Sequence, residues 1–108
     1  MSDTAPVVVT AYFYPRPGTR DQVLAALEPA IAAVHEEDGC ELYALHEKDD
    51  RLVMIEQWSS AEALAVHSRG AALAELGPKL AGLTVGPADV VVLTAVPAGD
   101  PAKGVVVS

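Results

Sequence analysis

Glu56, Trp58 and His67 lie close together in the chain and are of types that can do chemistry. In a strand, Glu56 and Trp58 project from one face together with Leu52 and Met54, because side chains alternate. An indole beside a carboxylate offers a flat ring on which an apolar molecule could lie; the same ring could equally close the core, since tryptophans at strand ends pack first. Glu56 interrupts an otherwise apolar row, and a buried carboxylate must be paired or have its pKa raised. It therefore orients His67, pins a subunit contact, or pairs with Arg16, Arg51 or Arg69. A neutral imidazole, with an ordinary pKa of about 6.5, can take a proton from an acidic hydroxyl. The alternative for His67 is a helix histidine bonded to a backbone carbonyl or water. His46 shares parity with Leu42 and Ala44 and is a further candidate for the pocket, whereas His35 reads as solvated. Tyr12, Tyr14 and Tyr43 could hydrogen-bond a substrate oxygen or pack between subunits.

The elements that must hold these groups are legible from periodicity. Residues 7–14 are β-branched and aromatic, and Pro15-Arg16-Pro17-Gly18 ends them as a strand followed by a turn. Thr19 and Gln22 match a capping box, after which Val23, Leu27, Ile31 and Val34 recur at helical spacing. Pro29 should kink this helix or divide it, at a cost of about 3 kcal/mol. Gly39 is placed to take the left-handed conformation of a helix end. Residues 41–48 and 52–59 flank a short polar connection and form a hairpin. Ser59 and Glu62 match a second capping box; Leu64, His67, Leu73, Leu76 and Leu80 follow at near-helical spacing, interrupted by Gly70, with Gly77-Pro78 ending the helix or breaking off its last turn. A final strand spans 88–96. The order is β-α-β-β-α-β, which predicts an α+β, ferredoxin-like antiparallel sheet with both helices on one face.

One face of such a sheet is ordinarily wet and its strands alternate in polarity. Here they do not: Val7, Val9, Ala11 and Phe13 oppose Val8, Thr10, Tyr12 and Tyr14, and Val90 and Val92 oppose Val91 and Leu93. Both faces need cover, which predicts a homodimer packed sheet against sheet. The 108 residues fit one domain over 1–96, with a tail at 97–108 that is flexible or packed on the dimer partner. Fifteen acidic against seven basic residues give a net charge of −8, which repels nucleic acid. No apolar run reaches the roughly 20 residues that span a bilayer and no leader pattern opens the chain, so no membrane and a cytoplasmic setting are expected. Single Cys40 excludes an internal disulfide and reads as a small buried residue. The scattered histidines and Cys40 lack a metal-ligand spacing, and Gly70, Gly77 and Gly82 match no phosphate loop.

The segment Asp38-Gly39-Cys40-Glu41-Leu42-Tyr43, followed by Met54-Ile55-Glu56-Gln57-Trp58-Ser59-Ser60-Ala61-Glu62-Ala63-Leu64-Ala65-Val66-His67, resembles the antibiotic biosynthesis monooxygenase (ABM) family. The likeness covers roughly residues 7–96 and is sharpest from Glu56 to His67. It implies a dimeric α/β barrel with one pocket per subunit between sheet and helices, and oxidation of a small hydroxylated aromatic or quinol by O₂ without metal or flavin. Catalysis would fall to His67, Trp58 and Glu56, with Phe13, Tyr43, His46 and Leu64 binding the substrate and no cofactor required. Other members of the superfamily isomerise or modify small molecules, so a non-oxidative isomerase or a ligand-binding dimer is the alternative. Members commonly carry a serine and a second histidine after the first; here Gly70, Ala71 and Ala72 occupy that stretch. The haem-degrading branch uses an asparagine, and this chain has none.

Overall fold

The computed structural model describes residues 5–106; residues 1–4 and 107–108, which include the start of the chain and the last part of the tail, lie outside them. Seven elements follow in order: β1 (Val7–Phe13), α1 (Arg20–His35), β2 (Cys40–Lys48), β3 (Arg51–Trp58), α2 (Ala61–Ser68), α3 (Ala71–Leu80) and β4 (Asp89–Thr94). The four strands form one antiparallel sheet in the order β2-β3-β1-β4. This is the ferredoxin-like α+β arrangement that the element order predicts.

Parity decides which residues meet the helices. Val7, Val9, Ala11 and Phe13 of β1 and Leu52, Met54 and Trp58 of β3 are buried with Val23, Leu27 and Val34 of α1 and Leu76 of α3. Burying one Val or Leu side chain contributes roughly 1.5–3 kcal/mol, so the α1 stripe alone outweighs the ~3 kcal/mol cost of Pro29. The helix accordingly runs unbroken through Pro29 rather than dividing, and Pro29 sits on its exposed side. The second helical stretch does divide: Gly70 takes an extended conformation and separates α2 from α3, and Pro78 lies inside α3 instead of ending it.

Both expected capping boxes differ from what forms. The Thr19 hydroxyl makes no cap bond; its oxygen lies 2.8 Å from the Arg16 carbonyl and 2.7 Å from the Leu83 carbonyl, tying the β1–α1 loop to the turn after α3. At α2 the cap is Ser60, whose oxygen accepts from the Ala63 N–H at 3.1 Å. Its neighbour Ser59 is engaged elsewhere, donating its backbone N–H to the Gly39 carbonyl at 2.8 Å. The hairpin turn is Asp49-Asp50, with Asp49 at φ +54°, a region that aspartate tolerates better than most residues.

The outward face is the apolar one anticipated. Val8, Thr10, Tyr12, Val53 and Ile55 are only partly buried, Val91 and Leu93 are exposed, and Arg51 Nε is sealed from solvent with no acceptor among the described residues. The helices stop short of β4, all six residues of which are exposed, including Val90 and Val92 on the helix side. Residues 95–106 hold no strand; Asp100 accepts from the backbone of Lys103 and Gly104 in a turn.

Candidate functional site

The inner rows of β1, β2 and β3 and the facing sides of α2 and α3 enclose a half-open cavity of about 250 Å³. Val9, Ala11, Phe13, Leu64, Leu73, Leu76, Leu80 and Val90 make it apolar, and Tyr43, Glu56 and His67 bring the polar groups to its wall. Register explains the meeting of the last three. Glu56 pairs across the ladder with Val9 on one side and Tyr43 on the other, so the carboxyl and the phenol share the inward face. Ser60 starts α2 at a point that carries His67, among the described residues one of three buried polar side chains with Glu56 and Gln57, over that face.

His67 is held from two sides. Its ring stacks on the Trp58 indole, with centroids 4.3 Å apart and planes 29° apart. Its Nδ1 lies 2.7 Å from Glu37 Oε1, a carboxylate at the end of α1. A carboxylate can only accept, so Nδ1 carries the hydrogen, donates it to Glu37, and leaves Nε2 as the ring's lone-pair nitrogen. Gly39 makes the approach of Glu37 possible: its φ is +83°, and a Cβ there would lie 2.5 Å from the Ala63 Cβ and 2.8 Å from Ser59 Oγ. Only glycine lets the chain leaving α1 press against the start of α2.

Glu56 accepts the Trp58 indole N–H at 2.9 Å. Burial pushes its carboxyl above the ordinary carboxylate value, opposed by that indole bond and by His67 when its ring is protonated. The expected arginine partners are elsewhere: Arg69 lies 3.8 Å from Glu62, and Arg51 sits over the Tyr14 ring on the far face of the sheet. Tyr43, whose ring meets Trp58 and His67 edge-on at 6.3 and 5.6 Å, has its phenol pushed far up by burial and by the neighbouring Glu56 and Glu37. It stays a neutral hydroxyl.

Phe13, Tyr43, Glu56, Leu64 and His67 thus converge on one cavity. Two expectations need correction. Trp58 is fully buried behind the imidazole, so the face anticipated as a platform for a ligand carries His67 instead. His46 lies on the opposite, solvent-facing side, its Nδ1 3.1 Å from the Ala44 carbonyl, because residues 43 and 46 have opposite parity and cannot both face inward on a regular strand. His35, exposed as expected, uses Nε2 to reach the Tyr43 carbonyl at 2.9 Å and ties α1 to β2. Glu37 went unmarked in the sequence: it belongs to an acidic run that reads as a helix end, and only the turn at Gly39 folds it back onto α2. Among the described residues no group of three His, Cys, Asp or Glu side chains could hold a metal ion, and no helix is long and apolar enough to cross a membrane.

Fold and site together make a ferredoxin-like sheet that holds an oriented histidine at the wall of an apolar cavity. The sequence profile described as antibiotic biosynthesis monooxygenase matches residues 6–76, and the chain belongs to that family. A curated relative in Mycobacterium tuberculosis, named "Putative monooxygenase Rv0793", is 42% identical over 66 residues, which is 59% of this chain and 65% of the relative, just under two thirds of its length. The solved structure of Rv0793 superposes with a TM-score of 0.81 at 32% identity, covering 89% of this chain and all (100%) of that one. The structure of PA3566 from Pseudomonas aeruginosa, at 23% identity and a TM-score of 0.78 over 87% of this chain and 97% of that one, shares the fold.

Proposed function

We propose that this protein is a cofactor-independent monooxygenase that inserts one atom of O₂ into a small hydroxylated aromatic or quinol, working as a homodimer. The carrying observation is the buried imidazole at the cavity wall with Nδ1 bonded to Glu37. Ground-state O₂ is a triplet, so an organic substrate reacts only after becoming an electron-rich anion that gives up one electron. A neutral Nε2 beside an apolar ring can remove the hydroxyl proton, and general bases of this kind contribute about 10²–10⁴ in rate. The anion transfers an electron to O₂, the two radicals join at a ring carbon, and loss of water from the resulting hydroperoxide leaves a quinone carbonyl. A phenol with one ring C–H at that carbon and O₂ give a quinone and water, which balances without an added reductant.

The cavity is of fitting size: about 150 Å³ suffices for benzene, so about 250 Å³ accommodates one or two substituted rings. Phe13 and Leu64 would contact such rings, and Tyr43 would donate to a substrate oxygen. The apolar outer face and the unsatisfied Arg51 Nε support a second copy as partner. A reducing, cytoplasmic setting agrees with the unpaired thiol of Cys40. The test is O₂ uptake with a panel of naphthols and quinols under ¹⁸O₂. One labelled oxygen in the quinone product is expected, with a loss of about 10²–10⁴-fold in His67→Ala; equal rates in wild type and variant would remove His67 from the reaction.

A second reading draws on Glu56. A carboxyl whose hold on its proton is strengthened by burial, on the same cavity wall as the imidazole, makes an acid–base pair able to move a proton between two carbons of a hydroxy-carbonyl compound, an isomerisation without O₂. Product formation under argon at the aerobic rate would favour it over oxygenation.

A further inference from the structure

His67 stands in a wall with a hollow on each side. Its inner side lines the apolar cavity. Its outer side, with Glu37 and Asp38, borders a second, more open hollow of about 400 Å³ among the small residues Gly70, Ala71 and Ala72. The His67 side chain is 5% exposed and that of Glu37 23%, so the imidazole is nearly dry while its carboxylate partner touches water. We propose that His67 and Glu37 form a two-residue proton path through the cavity wall, connecting a substrate hydroxyl to bulk water without opening the cavity. The path rests on His67 acting as the base of the proposed reaction.

The proton count closes. The substrate O–H breaks as the Nε2–H bond forms; the Nδ1–H bond breaks as its proton passes to Glu37 Oε1, 2.7 Å from Nδ1, and Glu37 releases it to water in the outer hollow. The ring is then neutral with its hydrogen on Nε2. When the peroxide oxygen leaves as water, Nε2 returns its proton there and Glu37 carries a proton inward to Nδ1, restoring the starting tautomer. A histidine able to exchange a proton on each nitrogen suits this role, and the group fixing its second nitrogen sets its tautomer. The other groups facing the ring do not offer an exit. Glu56 lines the inner cavity and not the outer hollow, and Tyr43 is held as a neutral phenol by burial.

The experiment needs no substrate, so its failure is separable from failure of the oxygenase reading, which the ¹⁸O₂ assay decides. The full chain is labelled with ¹⁵N-histidine, its three histidines are assigned with His35→Gln and His46→Gln, and the tautomer and solvent exchange of the His67 Nδ1–H are measured. Wild type is expected in the Nδ1–H form. Glu37→Gln keeps an acceptor for the ring hydrogen but cannot take the proton, so the Nδ1–H form should persist with exchange slowed at least tenfold. Asp38→Asn, which alters the hollow but not the bond, should exchange as wild type does. A merely orienting Glu37 would leave the rate in Glu37→Gln unchanged, and that result overturns the path; so does an Nε2–H tautomer of His67 in the wild type, which does not depend on any change at Glu37.

Discussion

Replacing Gly39 by alanine tests whether one backbone position couples the fold to the site. Two costs are separable. A φ of +83° forces alanine into the left-handed region, at about 1–2 kcal/mol. The added methyl would also meet Ala63 Cβ at 2.5 Å and Ser59 Oγ at 2.8 Å, and relieving such crowding costs about 1–3 kcal/mol more. The sum, about 2–5 kcal/mol, is a large part of the roughly 5–15 kcal/mol that holds a domain together. Gly18 supplies the control: it has the same φ of +83° but no atom within 4 Å of its would-be Cβ, so Gly18→Ala should show the first cost alone. Urea unfolding with linear extrapolation reads both variants. The site should respond as well: relief of the clash lifts the start of β2 from α2, drawing Glu37 away from His67, and the imidazole should lose its single Nδ1–H tautomer in Gly39→Ala but not in Gly18→Ala. A Gly39→Ala protein no less stable than Gly18→Ala, with the tautomer intact, would refute the claim that close approach at this corner positions the dyad.

Glu56→Gln should change how stability depends on pH. The carboxyl is raised above its ordinary 4.5 in the fold, so the folded chain keeps this proton to higher pH than the unfolded chain does. Its contribution is complete below the unfolded value and is lost as pH rises through the folded one. The difference in urea midpoint between Glu56→Gln and wild type should therefore grow in the variant's favour from acidic to neutral pH; a difference independent of pH would contradict the raised carboxyl. For the outer face, Ile55 sits mid-sheet between Thr10 and Ala44, and a lysine there would place a charge inside a sheet-to-sheet contact. Light scattering on a sizing column should find wild type dimeric and Ile55→Lys monomeric at micromolar concentration, and a monomeric wild type would dispose of the dimer.

Strand faces were legible because alternation is a local rule. Val7, Val9, Ala11 and Phe13, and Leu52, Met54 and Trp58, fall on the helix side as their parity requires. Capping was less so. Thr19 has the sequence of a cap, yet the Leu83 carbonyl, far along the chain, takes its hydroxyl. At α2 the serine pair Ser59-Ser60 offers two registers, and tertiary contact with Gly39 selects the second. The site shows the same division. Glu56 and Trp58 are neighbours by strand periodicity and bond to each other. Glu37 and His67 are thirty residues apart and meet only because two helix ends converge, which no local pattern encodes. Alternation alone keeps His46 off the face that carries Tyr43, since the two cannot both face inward on a regular strand.

The identity of residue 56 carries the strongest hint of selection for chemistry rather than folding. An inward position on β3, an inner strand of a four-stranded sheet, flanked by Val9 and Tyr43, is where packing would favour a branched apolar side chain. A carboxyl there must shed its hydration, and the single indole bond it accepts does not cancel that penalty, as its raised pKa registers. Gln57, the buried polar residue beside it, faces the other way, where its amide donates to Glu41 at 2.7 Å. Glu56 and His67 are then the buried polar residues that border empty space. Departures from the folding rules that coincide with a cavity mark functional sites, because stability is given up where a ligand will later supply the missing partner. Filling the position with an apolar residue should stabilise the sheet and empty the cavity wall of its acid, which is the trade that the sequence declines.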